Sequence, residues 1–115
     1  MPSVEAIKEY EPSLIFHLNR RMFLYMNEMN SLDIVMYVKF LLDPRVARIL
    51  DDTRHQRQAL TLSHVWKNVI NELTMKHIKS MQPHSFSHLC YIMVNLRKDY
   101  DFAIDFWAAA SQRFV

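Results

Sequence analysis

Two groups of residues in this 115-residue chain have the types and spacing that chemistry or metal binding requires. His84 and His88 stand four apart, with Cys90 close behind, and histidines at i and i+4 on one helix can share a metal ion. The carboxylate pairs Asp51–Asp52 and Asp101/Asp105 have the residue type for acid–base work. Each group lacks its complement. There is no HExxH motif and no second cysteine. His84 is expected to precede a helix cap at Ser85, which separates it from His88. Cys90 falls on an apolar helix face, where burial raises a thiol pKa and makes it inert, and a nucleophile would also need a base and an oxyanion hole. Asp51–Asp52 suits a helix exit. Asp101 and Asp105 suit the start of a helix, where negative charge complements the dipole. The sequence therefore predicts no catalytic residue, no metal site and no cofactor.

Charge supplies a second kind of signal. Residues 1–52 hold 6 basic and 8 acidic side chains, residues 53–98 hold 7 and 1, and residues 99–115 hold 1 and 3, so a segment of +6 lies between flanks of −2. The seven cations are Arg54, Arg57, Lys67, Lys76, Lys79, Arg97 and Lys98. Such residues neutralise phosphates and release counterions, which gives sequence-independent affinity for nucleic acid. His55, His64 and His88 add stacking or phosphate contacts, and Arg45 and Arg48 extend the patch if their helix lies alongside. The ordinary alternative for the same residues is a solvated bundle face. A methionine stripe, Met22, Met26 and Met29, reads first as core packing and second as a pliable surface for a partner helix.

The elements that must position these groups are helices throughout. Ser3 is placed to cap a short helix through Glu9, and Pro12 to open a second carrying Leu14, Leu18, Met22, Tyr25 or Met26, and Met29 at three- and four-residue spacing. Ser31 is the expected cap of a third helix, Leu32 to Leu42, apolar on most sides, as in helices that are buried or covered by a partner. Asp43-Pro44 opens a fourth with Val46, Ile49 and Leu50 inward. After a polar, basic stretch, Thr61 or Ser63 starts the clearest helix. Its stripe is Leu62, Val65, Trp66, Val69, Ile70 and Leu73, with His77 and Ile78 following, and Glu72 and Lys76 pair on its wet side. Gln82-Pro83 ends it. The next helix turns Phe86, Leu89, Cys90, Met93 and Leu96 inward. The last, from Asp99 or Asp101, turns Phe102, Phe106, Trp107, Ala110 and Phe114 inward.

Composition agrees. Half the residues are hydrophobic, 23% are charged and none is glycine, where a chain of this size averages about 8. Hairpin-rich β folds and Gly-rich phosphate loops need glycine, whereas helix ends accept Asn instead. The lone Cys90 permits no intrachain disulfide and fits a reducing compartment. No apolar run approaches the roughly 18 residues of a membrane span.

The stretch from Leu62 to Ile78, followed by Pro83-His84-Ser85-Phe86, a helix ending at Leu96-Arg97-Lys98-Asp99 and one more amphipathic helix, resembles organellar RNA-binding helical repeats. These are the repeats of the FAST-kinase-domain, octotricopeptide and heptatricopeptide proteins, and the likeness spans residues 61–114. Those families often place Pro-x-Ser-apolar at a helix start and Asp in the following turn. Here the usual turn glycine is replaced near Lys98, and no RAP-domain signature is present. Aligning Ser13 with Ser85 gives an offset of 72, two units of 36, without a visible middle copy. The resemblance implies binding of single-stranded or ribosomal RNA in an organelle, without catalysis.

The expectation is thus one all-α domain over residues 1–115, an antiparallel helical bundle or short α-solenoid of six to seven helices. Residues 1–52 form its acidic and apolar half and residues 53–115 its repeat-like half. The expected function is non-catalytic association with the phosphate backbone of RNA and with neighbouring proteins of a large assembly, as a mitochondrial ribosomal or RNA-processing component. A cytoplasmic setting is the other option. The rival is a small helical scaffold subunit of a larger mitochondrial protein complex, supported by the apolar third helix and the Met-rich second.

Overall fold

A helix begins where a side chain can take its first unpaired backbone N–H groups, and the sequence offers such residues repeatedly. The computed structural model describes residues 4–51, 61–96 and 101–113, with side chains from Leu14 onward apart from those of Asp101 and Phe102. Those residues form six α-helices and no strand, so the chain is all-α.

Helix α1 runs Val4–Leu24 without a break. Two helices were expected, with Pro12 opening the second. Instead the backbone stays helical through Pro12. An interior proline weakens a helix by about 3 kcal/mol without forbidding it, and burial of Ile15 and Asn19 anchors the helix just beyond. Pro12 therefore opens no helix. Ser3, the expected cap, lies outside the described residues. A 3-10 turn, Met26–Glu28, follows.

The cap of α2, Ser31–Leu42, is Asn30 rather than Ser31. Asn30 Oδ1 accepts the Asp33 N–H at 2.8 Å, and Asp33 Oδ2 accepts the Asn30 N–H at 3.3 Å. This reciprocal box satisfies two end donors where a lone serine satisfies one. Helix α3, Pro44–Asp51, starts as expected, with Asp43 Oδ1 accepting the Arg45 N–H at 2.9 Å. Thr61 caps α4, Leu62–Glu72, its Oγ1 accepting the His64 N–H at 3.1 Å. Helix α5, Pro83–Met93, has proline in its first turn, and α6 is Asp101–Arg113.

Between α4 and α5 lies a π-helical turn, Leu73–His77, closed by the Ile78 N–H on the Leu73 carbonyl at 2.9 Å. Its cause is the apolar pattern. In an α-helix, residues five apart diverge by about 140°, so Ile78 would leave the face that Leu73 occupies. A turn whose bond joins residues five apart stacks them again, and Leu73, His77 and Ile78 are all buried.

The helices share one apolar core. Helix α4 packs against α3, α6 and the 3-10 turn, while α2 packs against α3 and α5. The α2–α5 contact skips two helices, which a stack of nearest-neighbour repeats does not require, and it closes the fold as a bundle. The extents, 47 × 30 × 23 Å, are those of a slab about two helices thick. No glycine is needed at the exits: the residues after the 3-10 turn and after α2, Met29 and Asp43, turn into extended backbone with φ of −72° and −62°.

One buried polar contact ties α1 to α2. The Tyr37 hydroxyl donates to Asn19 Oδ1 at 2.7 Å, and both residues are almost fully buried. Burial pushes the phenol far above its ordinary value, so it stays a neutral donor. Tyr37→Phe should lower unfolding stability by about 1–3 kcal/mol, because Asn19 keeps a buried acceptor without its donor. Urea denaturation reads this, and an unchanged midpoint would show that the bond contributes nothing.

His77 yields a second prediction. Its Nδ1 lies 3.3 Å from Ser31 Oγ, and its buried Nε2 has no partner among the described residues. Burial holds the imidazole below its ordinary value, with Glu72 drawing it up and Lys76 pressing it down. The unfolded chain then binds a proton near pH 6.5 where the folded chain does not. Stability should fall as pH drops below that value, by at most about 1.4 kcal/mol per pH unit, and level off beneath the folded pKa. His77→Gln should flatten that slope in denaturation curves taken from pH 7 to pH 5; an unaltered slope would contradict it.

Candidate functional site

The groups that suggested chemistry are spread over the molecule. Because Pro83 lies in the first turn of α5, with Gln82 before it, His84 and Ser85 lie within the first turn and Ser85 is not the cap. Proline's fixed φ presets that turn without a side-chain cap. His84 and His88 therefore do share a helix, the first exposed and the second half-buried. Among the described residues no three His, Cys, Asp or Glu side chains gather as a metal set. Cys90 is half-buried; burial pushes its thiol up and Arg113 draws it partly back. Asp51 and Asp105 are exposed at the end of α3 and on α6, while Asp52 lies outside the described residues.

Of the seven predicted cations, Lys67, Lys76 and Lys79 are described and exposed. Arg54, Arg57, Arg97 and Lys98 lie outside the described residues, as does His55. Lys76 is engaged within the fold: its Nζ is 2.8 Å from Glu72 Oε1 and 3.4 Å from the Asn27 carbonyl. The expected i,i+4 pair is present, with the Lys76 side chain 52% exposed and the Glu72 carboxylate mostly covered at 14%. His64 stacks obliquely on Phe23, ring centroids 5.8 Å apart. Arg45 reaches back to Asp43 at 3.7 Å.

Sequence reasoning passed over Arg113. Its guanidinium donates to the Ile78 carbonyl and lies 4.4 Å from the centre of the Phe86 ring. It thereby joins the end of α6 to the π-turn exit and to α5. A single basic residue in a last helical turn gives no spacing signal that could have revealed this.

Among the described residues, two apolar grooves are the more developed surfaces. The first, about 650 Å³, is lined by Met93, Val94, Leu96, Ala103, Ile104 and Trp107, from the end of α5 and from α6. Ile104 is 70% exposed, Val94 59% and Trp107 37%. Trp107 was expected in the core. Instead Ala103, Phe106 and Ala110, spaced three and four apart, take the inward line of α6. Trp107 sits at its margin, edge-on to Phe106 with centroids 5.0 Å apart. Phe102 and Phe114 as core residues fall outside what is described. The second groove, about 540 Å³, includes Met22, Tyr25, Met29 and Met36. The methionine stripe does pack on the core: Met26 is buried in it, and Met22 and Met29 are half-buried against it while also lining the groove. On α2, Ile34, Val38 and Leu41 face inward while Leu32 and Met36, four apart, face water. Among the described residues, no helix is long and apolar enough to cross a membrane.

No protein-family model, no curated protein and no solved structure matches this chain.

Proposed function

We propose that the chain is a non-catalytic helical scaffold that holds neighbouring proteins against its uncovered apolar helix faces. The observation that carries this reading is the α5–α6 groove, where Val94, Ile104 and Trp107 stand in water around one concavity. Single exposed apolar residues are ordinary. Apolar side chains gathered on neighbouring helices support a docking surface better than scattered ones do, and a groove between helices receives an amphipathic helix by its spaced apolar anchors. Reading the chain as RNA-associated draws on Lys67 and Lys79, which are exposed, and on four cations outside the described residues. The engagement of Lys76 by Glu72 and Asn27 favours the scaffold over it.

Changing Val94 and Ile104 together to Asp should leave helicity and melting nearly unchanged, since both side chains are exposed. Binding of a hydrophobic dye and concentration-dependent self-association should fall severalfold. Undiminished dye binding would count against the groove as an adhesive surface. Salt-sensitive binding of single-stranded RNA that weakens when Lys67 and Lys79 become Gln would overturn the scaffold reading in favour of RNA.

A further inference from the structure

The groove beside the end of α1 differs from the α5–α6 groove in the charge of its wall. Its apolar lining is Met22, Tyr25, Met29 and Met36, and the charged residues on its wall are Glu28 and Asp33. No Lys or Arg is among the described residues that line it. Lys76, the cation held against the nearby Asn27 carbonyl, is paired with Glu72. We propose that this groove docks a basic amphipathic helix of a partner protein, an apolar anchor entering between the methionines and lysines or arginines meeting Glu28 and Asp33. The proposal rests on reading the chain as a docking scaffold but concerns a separate face.

Three features support this occupant. Unbranched methionine side chains rotate freely and have polarisable sulfur, so a surface built from three of them moulds to an inserted side chain without demanding one shape. Its volume, about 540 Å³, leaves room for an inserted side chain. The carboxylates are exposed and available: Glu28 lies in the 3-10 turn, and Asp33, although one oxygen accepts the Asn30 N–H, retains further acceptor capacity. The same two charges disfavour the phosphate backbone of a nucleic acid, and they would face their own copies in a symmetric self-association. A cationic helix satisfies both the apolar and the charged parts of the wall.

The test uses the whole chain and two synthetic helical peptides of about 18 residues, or five turns. Both carry the same Leu/Phe stripe, one with lysines on its polar face and the other with glutamates. The lysine peptide should bind at least about tenfold more tightly at low ionic strength, and the gap should shrink as salt screens the charges. Glu28→Lys and Met36→Lys, both at exposed positions, should each weaken the lysine peptide severalfold, while Val94→Asp with Ile104→Asp should leave it unchanged. Equal binding of the two peptides, or none, would overturn the proposal. Binding lost only in the Val94/Ile104 variant would place the helix in the α5–α6 groove, which overturns this site while leaving the scaffold reading intact. A dimer of the chain that Met36→Lys dissolves would identify a second copy as the occupant and overturn it as well.

Discussion

Burial along one side of α4 is the constraint on which the other helices depend. Leu62, Val65, Trp66, Val69, Ile70 and Leu73 are all withdrawn from water on one helix. At roughly 1.5–3 kcal/mol for each large apolar side chain fully buried, this row is a major source of stability in so small a domain. Helices α3 and α6 and the 3-10 turn pack on it directly. The π turn extends the row by keeping Ile78 on the buried side after α-helical phase would have lost it. It also carries His77 inward, where its imidazole meets Ser31 at the start of α2. Arg113 then secures α6 to the exit of the same turn through the Ile78 carbonyl.

A slab about two helices thick cannot cover every helix on all sides. Helix α6 spends Ala103, Phe106 and Ala110 on the core and leaves Ile104 in water. Helix α2 does the same with Ile34, Val38 and Leu41 inside and Leu32 and Met36 outside. Both faces have the i, i+3/i+4 spacing by which helices recognise one another. The buried contacts, meanwhile, hold their shape: the Tyr37–Asn19 bond fixes α1 against α2 along the methionine groove, and the Arg113 contacts fix α6 beside the other. Two apolar grooves beside these buried ties are what support reading the chain as a scaffold.

The all-α class and the inward line of α4 were legible because both follow from local rules. The absence of glycine excluded turn-rich folds, and a six-residue apolar stripe admits one helical face. The Asp43 cap was read from residue type alone, and Thr61 was one of two candidates, with Ser63, for the start of α4. What was not legible depended on competition or distance. Ser31 and Asn30 are both good caps, and the reciprocal bond with Asp33 decides between them. Pro12 looks like a helix start because proline is far commoner there than in a helix interior. Trp107 satisfies the spacing of an inward residue, yet α6 needs small residues where it crosses the core, and Ala103 and Ala110 supply them. Glu72 and Lys76 were rightly paired, but the cover over the Glu72 carboxylate depends on what packs against α4, which no spacing within the helix encodes.

Site-specific photo-cross-linking in the cells that make the chain tests the central claim most directly. A photoreactive residue would be placed at Ile104, at Met36 and, for comparison, at Lys67, all exposed positions on three different helices. The scaffold account predicts adducts to protein from Ile104 and Met36, formed in good yield, and little or none from Lys67. Adducts to RNA from Lys67, with none to protein from the two apolar faces, would contradict it.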